Sequence, residues 1–544
     1  MVKETVRILA SAFVLLWPAV SVGATYCVDQ KHASADDSNP GTISKPWKTI
    51  QHASENATAG DSIFIRSGVY REQVWTCTSG GGSKARIVFS AFPGERPVLD
   101  GSGMAEASNG FTVGHSWIAL NGLEIRNWDT GIWMEGAGNV EISDCEVHHC
   151  FYGIAAVQGV HDFALNRVDI HHFNLFGFDA SPGGGADCSN GVFNDCTVHT
   201  ANDPGQNVDG FALGHGTQHG FTFNRCTAFD VYDGFDISAR NSILNRCLAF
   251  DCWNGGYKLW QDRILLVNCI GYGCQGANVE LDWDGTPGRS SLVNCTFFDV
   301  HTYTVWVENS RDTLWMHNCI LAGGRNIGLA FEQSGVRNYR GDYNLFHNDN
   351  PDRAIAVAYT DEFTLDQVES GAWRTYSGQD AHSLVSRSKT DVFIDPAKPD
   401  LRLKQASPAV DRGTAEGAPT VDFNGNPRPA GNGIDIGAYE YSRASSLPDG
   451  PQSMTIPRTF SVQQNYPNPF NSETRFRFFV KEPCRVLLKV TDLTGREVKT
   501  VVDSRYAAGE YFVRFNASGL SSGIYSYRIR MGDFQAVGKM VVMK

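Results

Sequence analysis

From Leu123 to Phe331 the chain alternates short apolar–polar stretches with turn residues, and the same few letters keep returning. The fragments FNDCTV, FNRCTA, LNRCLA, LVNCIG and LVNCTF put Cys196, Cys226, Cys247, Cys269 and Cys295 in nearly one context, with Cys319 next in line. With Leu123, Cys145 and Val168 as earlier members, the unit returns at steps of roughly twenty to thirty residues. Each unit holds a short strand, an Asn or Asp, and a second short strand near a glycine. Helical periodicity is nearly absent. Strands this brief bury no core singly and must stack on their neighbours. The pattern predicts an all-β chain, a right-handed parallel β-helix with one coil per unit and like residues about 4.8 Å apart between coils. The longer steps predict loop insertions.

The two ends predict different things. Residues 1–24 carry Lys3 and Arg7, an apolar run with Pro18 inside it, and small residues up to Ala24, the layout of a cleaved signal peptide. The run is too short for a membrane span, and no later segment approaches spanning length. After a strand at Tyr26, an amphipathic helix is expected from Trp47 to Asn56, covering the open end of the coils, then a strand from Ser62 to Arg66. This start resembles the N-terminal cap of bacterial β-helix proteins that act on polysaccharides, and Ser407 to Tyr441 resembles their closing segment. The β-helix domain is thus expected over 25–441 and a polar linker over 442–458. Alternating strands over 459–544 predict a small C-terminal β-sandwich. There NYPNPFN, GLSSGIYSYRI and the lysine-tipped end resemble the C-terminal sorting domain of the type IX secretion system. That resemblance implies export by the corresponding machinery and says nothing of catalysis.

The repeat also works as a ruler. Aligning TGIWM, YGIAA, FGFDA, DGFAL, DGFDI and GGYKL sends Ile132, Phe178, Phe211, Phe235 and Tyr257 inward, so the next residue of each strand points out. The outward column reads Trp133, Ala155, Asp179, Ala212, Asp236, Lys258, Glu280, Trp306, Ala330. One column over, Asp209 and Asp233 fall on adjacent coils. Carboxylates this close repel unless protonated or bridged, and a hard cation with room for water, Ca²⁺, suits them; no His/Cys cluster has zinc spacing. A cation beside Lys258 would lower its pKa toward that of a useful base. A neutral lysine next to calcium fits removal of the C5 proton of a uronic acid, followed by loss of the 4-linked sugar.

Net charge is −13, and no basic cluster offers a footprint for nucleic acid, so an acidic polysaccharide substrate would need that local cation. NVDGFAL, YDGFDI and NGGYKL resemble, in order and spacing, the motifs of family 9 polysaccharide lyases, calcium-dependent pectate lyases and relatives on a right-handed β-helix. The resemblance implies Asp209, Asp233 and Asp236 as calcium ligands, Lys258 as the catalytic base, and pectate as the leading substrate, ahead of rhamnogalacturonan, alginate and glycosaminoglycans. The family usually has two aspartates before the glycine of its second motif; here Tyr232 precedes Asp233. Arg240, Trp260 and Arg263 are candidate groove residues for sugar carboxylates and sugar faces. Glu280, Asp282 and Asp284 read first as solvated carboxylates, with Glu280 kept as a substrate-binding candidate. A monomer is expected.

Two other functions fit the same strands: a glycoside hydrolase with paired carboxylates, and a noncatalytic glycan-binding surface protein. The cysteines at the repeat position read as small buried core residues, while Cys27 with Cys77, and Cys145 with Cys150, are disulfide candidates.

Overall fold

The computed structural model describes residues 23–441 and 461–543, apart from 105–107, 182–184, 215–216, 282–287, 309–312, 481–483 and scattered single or paired positions. The expected signal peptide and linker lie almost wholly outside the described residues, as do Asp282 and Asp284.

The repeats coil as expected into a right-handed parallel β-solenoid. One strand of each coil joins a 13-stranded parallel sheet, and the other strands form a 24-stranded sheet around the remaining faces. Alternation drives this, because every second side chain must leave water and the coil interior is the only apolar space within reach. Phe211, Phe235 and Tyr257 stack face to face, with centroids 5.0 and 5.2 Å apart. In FNDCTV, FNRCTA and LNRCLA the Asn two residues before the cysteine forms an amide ladder: Asn194 donates to Asn166, Asn224 to Asn194, and Asn245 to Asn224. At the turn positions Asn268, Asn294 and Asn318 have φ of +53°, +51° and +55°, a left-handed conformation that asparagine tolerates better than most side chains.

The thiols of Cys196, Cys226, Cys247, Cys269, Cys295 and Cys319 are buried and free, as the repeat implied. Neither disulfide candidate is bridged. Cys27 is buried and Cys77 exposed, whereas Cys145 and Cys150 donate to different carbonyls, those of Ser143 and His148.

The N-terminal helix is shorter than predicted. It runs Ile50–Asn56, where the Thr49 side chain caps the His52 N–H and Glu72 accepts from the Ile50 and Gln51 N–H groups. Trp47 is held instead in a bridge to Val28 and stacks on Tyr26 at 4.5 Å. Ile50, Ala53 and Ser54 face the coil core, so the helix caps the stack as expected.

Two short helices, Leu365–Glu369 and Ala372–Ser377, bring the fully buried Trp373 against Phe331 and Tyr339 in the main core. The segment read as the closing one runs along a flank of the coils. Arg246 donates to Phe423 O, Asn268 to Val421 O, Asn294 to Asp435 O and Asn318 to Thr414 O, at 2.7–3.0 Å. Arg428 and Glu440 pair at 2.6 Å inside this strap with both side chains fully buried. Further along, two antiparallel sheets of three and four strands close over a core of their own that includes Phe476, Leu488 and Ile529.

Candidate active site

The outward column exists as aligned. Trp133 pairs with Ala155, Ala155 with Asp179, Asp179 with Ala212, and Ala212 with Asp236. Asp236 then pairs with Lys258, Lys258 with Glu280, Glu280 with Trp306, and Trp306 with Ala330. The column is less exposed than a simple outward face would be: Asp179 and Glu280 are 9% and 8% exposed.

The glycine in each DGF or GGY motif has a steric reason. A Cβ on Gly210, Gly234 or Gly256 would sit 2.7 Å from the carbonyl oxygen of the following coil, so only glycine permits that approach. The same approach sets Asp209 and Asp233 one above the other. The Asp233 N–H donates to Asp209 Oδ1 at 3.3 Å, while Asn254 Nδ2 and the Gly255 N–H donate to Asp233 Oδ1 at 2.9 and 2.6 Å. Lys258 Nζ lies 3.1 Å from Asp233 Oδ2 and 5.0 Å from the centre of the Trp260 ring.

Asp209, Asp233 and Asp236 each offer a carboxylate oxygen within 4.8 Å of the others. Their electrostatics are those of charges taken out of water together. Burial, then Asp233 and Asp236, pushes Asp209 up to about 8. Burial pushes Asp236 up to about 7 against the pull of Lys258, and burial also raises Asp233. Three oxygen donors at this spacing, with no thiolate or imidazole among them, fit a hard divalent cation. The same carboxylates act on Lys258. Burial pulls its pKa down, but Asp233, Asp236 and Glu280 outweigh that and raise it, so by themselves the carboxylates keep an ammonium.

The other predicted residues divide. Trp260 lies under the lysine, and Glu280 is the strand partner of Lys258. Arg240 instead sits past its strand, bridged to His219, and Arg263 is tied to Asp262 and Asn241 at a turn. Among the described residues no contact links either arginine to the cluster; each lies beyond the strand end where the chain turns away. Sequence reading missed Asn254 and Gly255, although both stand in the NGGYKL motif.

Coil stack and site together define a polysaccharide-lyase-type enzyme on a β-helix. The family described as Pel9A-like, right handed beta helix region, matches residues 31–326, more than half of the chain, and this chain belongs to it. Residues 464–543 match the Secretion system C-terminal sorting domain, which makes the C-terminal sandwich a sorting module. Among similar proteins, Pectate lyase PEL9 of Emericella nidulans is 25% identical over 337 residues, covering 57% of this chain and 77% of that one. The uncharacterized protein YwoF of Bacillus subtilis is 39% identical over 74 residues, 14% of this chain and 16% of that one. Among solved structures, pectate lyase Pel9A is 15% identical with a TM-score of 0.47, covering 78% of this chain and 98% of its own. A rhamnogalacturonan lyase is 17% identical with a TM-score of 0.45, covering 55% and 87%. Among the described residues no helix is long and apolar enough to cross a membrane.

Proposed function

We propose that this protein is an exported lyase that cleaves a uronic-acid-containing polysaccharide by β-elimination, with Lys258 as the base. The observation that carries the reading is the contact of Lys258 Nζ with Asp233 Oδ2 at 3.1 Å, inside a cluster of three carboxylates. Membership of the Pel9A-like family and the likeness to a pectate lyase support the substrate class, with pectate as the reference polymer.

Asp209, Asp233 and Asp236 would hold the Ca²⁺. Bound there, the cation would offset their charge, loosen the hold of Asp233 on the lysine and polarise the uronate carboxylate, acidifying the C5 proton. The chain's own residues do the rest. Asn254 and Gly255 fix Asp233 by two hydrogen bonds, so its second oxygen stays aimed at the lysine. Tyr257 and Leu259, buried on either side, send Lys258 outward onto the column it shares with Asp236 and Glu280. Its neutral amine takes the C5 proton; the C–H electron pair becomes the C4–C5 double bond; the C4–O4 bond breaks, and the departing oxygen takes a proton from water. An inverting hydrolase would want its two carboxyl groups about 6.5–9.5 Å apart. The oxygens of this cluster lie within 4.8 Å of one another.

Export would use residues 1–24 as a signal peptide and the type IX machinery as the partner of the sorting domain, across a linker at 442–458. The test is ultraviolet absorbance of the unsaturated uronate on incubation with polygalacturonate and related polymers. Lys258→Ala should lower the rate by about 10²–10⁴-fold, the usual worth of a positioned base. Chelation should abolish it reversibly. New reducing ends without absorbance would refute elimination in favour of hydrolysis, and binding without any product would refute an enzyme.

A further inference from the structure

The position before the glycine of each motif carries more than two aspartates. Along the coils it reads Thr130, Tyr152, Phe176, Asp209 and Asp233, and each stands opposite the next from Thr130 to Asp209. The corner is the same throughout. A Cβ on Gly153 or Gly177 would sit 2.3 or 2.8 Å from the carbonyl oxygen of the following coil, just as at Gly210 and Gly234. The turn that brings Asp209 and Asp233 to the site therefore sets Phe176 and Tyr152 in line with them, one and two coils beyond Asp209.

Both rings are half-buried, with centroids 6.0 Å apart, and Phe151, 41% exposed, meets Tyr152 edge-on at 5.2 Å. Burial, then Asp179 and Asp129, raises the Tyr152 phenol, so it lies within the field of the outward column. Asp179 accepts from the Ser181 hydroxyl through Oδ2, and among the described residues nothing donates to its Oδ1. Aromatic faces left partly in water beside a buried carboxylate suit one kind of ligand. A pyranose ring has faces of C–H groups, which an aromatic ring covers, and a rim of hydroxyls, which a carboxylate oxygen accepts.

The spacing fits a chain already held at the lysine. An extended run of pyranose rings advances by close to one coil, about 4.8 Å, per ring. Phe176 stands three coils from Lys258 and Tyr152 four. We infer that Phe176 and Tyr152 form a distal subsite, which holds the sugar rings three and four places from the uronate eliminated at Lys258. The inference rests on the lyase reading above.

The test compares kcat/KM for unsaturated product, with calcium present, on a galacturonate trimer and a galacturonate octamer. From Lys258 the trimer cannot reach Phe176, whereas the octamer spans both rings. The wild-type protein should favour the octamer. Tyr152→Ala and Phe176→Ala should each lower kcat/KM on the octamer by about fivefold to tenfold, the scale of an aromatic contact, and leave the trimer unchanged. Tyr152→Phe keeps the ring face and should keep most of the octamer's advantage. Equal losses on both lengths would mean that the rings only support the coil, and would overturn the inference, as would no loss on the octamer or a Tyr152→Phe variant as impaired as Tyr152→Ala. In each of these cases the lyase reading stands. Product from neither length would remove that reading for galacturonate, and the inference with it.

Discussion

Chelation and pH act on the same three carboxylates, and the structure says how the two should interact. With no cation bound, Asp209 is pushed up to about 8 and Asp236 to about 7 by burial and by the neighbouring carboxylates, against an ordinary value of 3.8. Between about pH 4 and 7 the folded protein therefore keeps protons that the unfolded chain has released, so stability falls as pH rises through that window. For Asp209 alone the cost accumulated by about pH 8 is on the order of 5 kcal/mol, at about 1.36 kcal/mol per pH unit. A bound divalent cation relieves it only where the carboxylates are ionised. Allowing about 1–2 °C per kcal/mol for a domain this long, calcium should raise Tm by about 5–10 °C near pH 8 and by about 2 °C or less near pH 5. Differential scanning fluorimetry with calcium against chelator measures both. Asp209→Asn sharpens the test, since it removes a buried charge. The chelated variant should melt above chelated wild type near pH 8, and its calcium response should be lost. Equal calcium shifts at the two pH values, or a variant less stable than wild type in chelator near pH 8, would refute the reasoning.

Two further predictions concern the frame. Phe235→Ala removes the ring stacked between Phe211 and Tyr257 and should cost about 3–5 kcal/mol in chemical denaturation, because the coils on either side cannot close the gap. Arg428→Ala leaves Glu440 buried without its partner and should cost about 3–5 kcal/mol, while Glu440→Gln in the same background should recover part of the loss.

The register was legible because alternation leaves no freedom. Once Phe211, Phe235 and Tyr257 must point inward, Ala212, Asp236 and Lys258 must point out, and each pair stands opposite in the ladder. The family motifs sit on those strands, so the cluster of Asp209, Asp233, Asp236 and Lys258 could be assembled from spacing alone. What spacing could not supply lies off the strands. Arg240 and Arg263 follow their strands closely in sequence but stand where the chain turns away from the column. The helix start at Ile50 was decided by Thr49 and Glu72, a long-range contact that a local amphipathic pattern does not contain. The charge state of Lys258 depends on three carboxylates drawn from two coils, and their combined pull became visible only with the distances.

The strap from Thr414 to Tyr441 changes the mechanics of the stack. In a repeat array each unit touches only its neighbours, so an end can peel away one unit at a time. Here one length of chain is bonded in turn to coils at Arg246, Asn268, Asn294 and Asn318, which span the C-terminal side of the lysine's own coil. Those coils cannot open singly without also freeing the buried Arg428–Glu440 pair. The C-terminal half of the solenoid should therefore open as one unit, and hydrogen exchange there should show a shared protection factor in place of a gradient.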